Sequence, residues 1–113
     1  MTKQPAPPRI DLDLGDEHTL RYMTWSPDPD LNPQYRDLPG EPDDPVGAIV
    51  SHRKPDGSYC EGGIHFDTAR TRRMNDGHAL WTVESWEPLT LSPSLLCKCG
   101  DHGFIRAGAW VKA

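Results

Sequence analysis

The stretch "SPDPDLNPQYRDLPGEPDDP", residues 26–45, restricts the fold more than any other part of the chain. Six prolines in twenty residues remove backbone donors and fix φ so often that neither a helix nor a central strand can run through it. A segment of this length without regular structure belongs to an arm that is disordered or that wraps a surface. Leu31, Tyr35 and Leu38, with Trp25 just before them, are spaced apolar anchors for wrapping, around the chain's own domain or a neighbouring copy.

The irregular part is also the acidic part. Residues 1–45 hold nine of the twelve prolines and ten of the seventeen acids against four basic residues, a net charge of −6, whereas residues 46–113 carry +1. These values divide the chain into an acidic, Pro-rich N-terminal arm (1–45), with a hairpin in 10–25, and a compact β domain (46–113). With 113 residues and a pI near 5.4, this is one domain without general attraction to nucleic acid or an anionic membrane. No apolar stretch reaches the roughly 20 residues of a membrane span, and "MTKQPAPPRI" lacks a secretory h-region. The protein is expected to be cytoplasmic when made.

Period-2 alternation dominates the rest. Ile10, Leu12 and Leu14 alternate with Asp11 and Asp13, and "TLRYMTW" continues the pattern after a Gly15-Asp16 turn, which predicts the hairpin. "VGAIVSH" and "PDGSYCEGGIHF" read as two strands around Pro55-Asp56-Gly57. "NDG", residues 75–77, introduces the strand "HALWTVESW". Leu89 and Leu91 share a face of the next strand, and "GFIRAGAWV" forms a hairpin turning at Ala107-Gly108. Only "FDTARTRRMND" can supply about two turns of helix, capped by Asp67 or Thr68. The expected fold is mainly β, a small antiparallel sandwich or barrel-like domain with little helix.

The chemistry gathers in "SLLCKCGDHGFIRAGAW", residues 94–110. In an extended chain Cys97 and Cys99 leave the same face, with Cα atoms roughly 6.5–7 Å apart, and two sulfurs can converge on one zinc at about 2.3 Å each. Gly100 permits a sharp turn that brings His102 in as a third ligand, and Cys60 or His65 supplies a fourth. The plainer reading makes Cys97 and Cys99 small core residues and His102 a turn cap. A zinc-dependent hydrolase would need an open ligand position and a neighbouring carboxylate base, and "HFD" with "CKC" misses the deaminase signature at both halves. Arg70, Arg72 and Arg73 form a basic group that suits docking of the arm through Asp43 and Asp44, in cis or across subunits.

The blocks Trp81 to Trp86, Pro88 to Ser94 and Cys97 to Trp110 resemble small proteins of tailed bacteriophages of actinobacteria and their prophages, and the domain family of unknown function DUF6527. The resemblance covers the last third to half of the chain. Relatives carry Cys-rich text near the position of "GGIHF", which implies a zinc site completed there; Cys60 and His65 stand at that place here. The family implies a phage setting without an activity. Together these features predict a non-enzymatic structural or accessory protein, a virion component that binds other phage structural proteins or copies of itself through its arm. An intracellular regulator binding a protein through a Cys/His zinc site is the alternative, and a zinc hydrolase a further one.

Overall fold

The structure, a computed structural model, describes residues 9–74 and 77–113. The Pro-rich beginning and the Asn75-Asp76 part of the "NDG" turn lie outside the described residues. The fold is mainly β, as the alternation predicts: strands β1 (Leu12–Gly15), β2 (His18–Met23), β3 (Gly47–Arg53), β4 (Tyr59–Phe66), β5 (Leu80–Trp86) and β6 (Leu89–Ser92) form one sheet in chain order. Strands β7 (Leu95–Leu96), β8 (His102–Arg106) and β9 (Ala109–Lys112) form a second, antiparallel sheet.

The first hairpin turns where expected, through Gly15, Asp16 and Glu17, all at positive φ. It is not separate from the compact part, because β2 pairs with β3 over six positions, from His18 with His52 to Met23 with Gly47. The arm proper is therefore the connection between β2 and β3, which contains a single 3₁₀ turn at Pro33–Tyr35. β3 and β4 form a hairpin in which Arg53 faces Tyr59 and His52 faces Cys60. The crossover from β4 to β5, which pair in parallel, carries the helix α1 (Ala69–Met74). Thr68 caps it, its hydroxyl accepting from the N–H of Thr71 at 3.0 Å.

The apolar faces of both sheets share one core. Leu14, Leu20, Ala48, Val50, Ile64, Phe66, Leu89 and Leu91 come from the first sheet, and Leu95, Ile105 and Trp110 from the second. The turn of the second sheet is tied to β6, where Gly108 N–H donates to Leu89 O at 2.8 Å and Ala107 N–H to Thr90 Oγ1 at 2.9 Å. Ala107 and Gly108 both have positive φ, the backbone form that suits a two-residue hairpin.

The arm lies on its own domain. Arg70 donates through Nε to Trp25 O at 2.8 Å and through Nη1 to Pro39 O at 2.9 Å. Arg73 reaches Asp37 O at 3.1 Å and Gln34 O at 3.4 Å. Backbone carbonyls thus take the place of the expected Asp43 and Asp44 side chains. Arg72 faces away from the arm, in a forked pair with Asp67 at 2.7 and 3.0 Å. Trp25 and Tyr35 spend their rings on each other, edge to face at 4.8 Å, and Leu38 is half-buried; Leu31 remains 79% exposed. Among the described residues no helix is long and apolar enough to cross a membrane.

Candidate metal centre

The side chains of His52, Cys60, Cys97 and Cys99 place one donor atom each within 4.8 Å of one another. Two come from each side of the fold. His52 on β3 and Cys60 on β4 share the buried face because the hairpin pairs them directly. Cys97 and Cys99 lie on the turn that joins β7 to β8. Here the backbone is not the extended strand that the spacing suggested: Gly100 N–H donates to Cys97 O and Cys97 N–H to Asp101 O, both at 2.8 Å, and Gly100 sits at φ +96. A turn of this kind brings thiols two residues apart to one point without requiring a shared strand face.

The separations suit a bound ion. Cys60 Sγ lies 3.2 Å from Cys97 Sγ, and Cys99 Sγ lies 3.2 Å from His52 Nε2. The edge of a sulfur tetrahedron around zinc is about 3.8 Å, since each bond is about 2.3 Å. A modest outward movement of the donors would admit the ion. His52 is also oriented for ligation, because its Nδ1 faces Asp101 Oδ2 at 3.8 Å and leaves Nε2 toward the sulfurs. His18 holds Asp101 from the other side, its Nε2 2.5 Å from the same Oδ2 and its Nδ1 2.5 Å from Asp16 O. The His18 ring stacks on Trp110 at 4.0 Å and on His52 at 5.1 Å. A donor set of three thiols and one imidazole with a carboxylate behind the imidazole matches a structural zinc site and not a calcium or magnesium site.

Sequence reasoning offers Cys97, Cys99 and His102 with Cys60 or His65 as the fourth ligand; of these the structure gathers Cys60, Cys97 and Cys99, and it adds His52, which that reasoning misses. Its two other candidates lie elsewhere. His65 is five residues from Cys60 on β4, an odd separation that puts it on the opposite face, where its ring lies 4.9 Å from that of His78. His102 pairs with Leu96 across β7 and β8 and faces out with it, 2.8 Å from Ser94 Oγ. A signal for His52 was present: counting outward from the Pro55-Asp56-Gly57 turn sets it opposite Cys60.

The thiols divide one proton unequally. Burial works against ionisation of Cys97, but the N–H of Cys99 and contacts with His52, Cys60 and Cys99 overturn it and bring its pKa from 9.0 down to about 6. Cys60, hydrogen-bonded to Cys97 and desolvated, is pushed up to about 11. In metal-free, reduced protein, Cys97 therefore adds stability that builds as pH rises from about 6 to about 9 and is lost on acidification through 6. Cys60 adds stability that is present below about 9 and lost as pH rises through 11. Thiolate absorbance at 240 nm is expected to show a first step near pH 6; a single step near 9 would contradict this arrangement.

The chain matches no family model, no curated protein and no solved structure.

Proposed function

We propose that the protein is a non-enzymatic binding and assembly module whose two sheets are fastened by one zinc ion on His52, Cys60, Cys97 and Cys99. The convergence of these four donors, drawn from three separate stretches of chain, is the observation that carries the reading. A bound zinc supplies folding free energy here and requires its thiols deprotonated, so affinity falls in acid. Four protein donors complete a tetrahedral shell and leave no position for a reacting water, which favours a structural role over the hydrolase alternative. Leu31, Tyr59 and Leu96, at 79%, 70% and 70% exposure, would be available to a protein partner. In the phage setting that the sequence resemblance implies, the partners are structural proteins of the particle or further copies of the chain.

Elemental analysis of protein purified under reducing, chelator-free conditions is expected to give one zinc per chain, and cobalt substitution a tetrahedral thiolate spectrum. Absence of metal would overturn the zinc reading. For the assembly reading, mass spectrometry of purified particles should find the chain in stoichiometric amount; its absence from particles would favour an intracellular regulator.

A further inference from the structure

Between the arm and α1 lies a half-open pocket of about 490 Å³ that shares no residue with the metal centre and is lined in part by Pro39, Asp44, Pro45, Arg70 and Trp86. Its unusual member is Arg70, which is only 7% exposed. A guanidinium is charged at every accessible pH, so one held largely under the arm without a counter-charge favours an anion; its Nη2 stays open to the pocket, since among the described residues the buried side-chain nitrogen without a partner is Trp110 Nε1. Of its five N–H groups, one on Nε and one on Nη1 go to the carbonyls of Trp25 and Pro39, which leaves three, including both on Nη2. Among the described residues no carboxylate forms an ion pair with it. Asp44, the acid on the wall, is turned into the arm, where its Oδ2 accepts from Glu41 N–H at 2.8 Å.

We propose that this pocket binds a carboxylate carried on a flat apolar body, the anion meeting Arg70 and the body resting on Trp86 and the prolines. The free N–H groups on adjacent guanidinium nitrogens suit the two oxygens of a carboxylate. Trp86, at 48% exposure, offers a broad apolar wall on the same pocket. The ligand therefore touches both the arm and the domain, and its binding orders the arm. A strap that merely fastens the arm needs only the two backbone bonds and has no preference for a carboxylate. Such a group occurs on a free aromatic acid or at the C-terminus of a protein chain, and the chemistry recognised is the same.

Calorimetry on the intact protein with 3-phenylpropionate and 3-phenylpropionamide tests the site. The acid is expected to bind with a Kd on the order of 1 mM and the amide at least about tenfold more weakly. Arg70→Met should abolish binding of the acid, Trp86→Ala should weaken it, and Asp44→Asn, which removes a like charge, should tighten it several-fold at low salt. Trypsin cleavage at the exposed Arg36 should slow when the acid is bound. A peptide ending in a free Phe carboxylate, compared with its amidated form, assigns the source: tighter binding of the free-acid peptide points to a protein terminus, and binding of the small acid alone to a free ligand. Equal binding of acid and amide, or no binding of either, overturns the proposal. Should Arg70→Met fail to fold, unchanged affinity in both Trp86→Ala and Asp44→Asn overturns it equally.

Discussion

Cys97→Ser is expected to lose stoichiometric zinc and at least about 4 kcal/mol of stability, the range reserved for loss of a metal or a comparable structural element. Serine keeps the size of the side chain but presents neither a thiolate nor a soft donor, so the remaining His52, Cys60 and Cys99 would hold zinc far more weakly. The informative comparison is with chelator-treated wild type. If the ion is the source of the stability, removing it and removing Cys97 have nearly the same effect, and near pH 6, where the metal-free Cys97 thiolate adds little, doing both costs little more than either alone. If Cys97 is an ordinary core cysteine, the substitution costs about 1 kcal/mol with or without chelator. Elemental analysis and urea unfolding of the four samples would distinguish the two outcomes.

Phe66→Ala should be comparably damaging for a different reason, and without loss of metal. Phe66 is fully buried, edge-on to Trp86 at 5.5 Å and to Tyr22 at 6.3 Å, at the point where β4 meets β5. Truncation removes the ring and leaves a cavity, a cost of about 3–5 kcal/mol, or a fall in the thermal midpoint of roughly 15 °C. Cys60 lies six residues away on the same strand, about 20 Å along the backbone, so the donors keep their arrangement. One zinc per chain in the folded variant is the expected result. Simultaneous loss of zinc would mean that the site and the core are not separable in this way.

The parts of the fold that could be read in the sequence are those fixed over short distances. Alternation of Leu12 and Leu14 against Asp11 and Asp13, the turn at Ala107-Gly108, and the cap at Thr68 each depend on a few neighbouring residues. The proline density of residues 26–45 excluded regular structure there except for one 3₁₀ turn. What escaped depends on register between strands. His52 became a candidate ligand only when paired with Cys60, and His65 was set aside only by the parity of its distance from Cys60. The roles of His18 and Asp101, 83 residues apart, have no local signal at all. The arm's attachment was foreseen in its location on the arginines but not in its chemistry, because side-chain charge is visible in a sequence and backbone carbonyls are not.

The order of the donors along the chain has a consequence during synthesis. Cys60 and Cys97 are 37 residues apart, and at about 5–20 residues per second the second follows the first from the ribosome by roughly 2–7 s. During that interval the β3–β4 hairpin can already set His52 beside Cys60, a two-donor half-site that holds an ion only loosely. The nascent chain thus passes through a period in which its β3–β4 hairpin carries an unprotected thiol, and on the zinc reading capture of the ion would wait for β5 to β7 and the Cys97–Cys99 turn to follow.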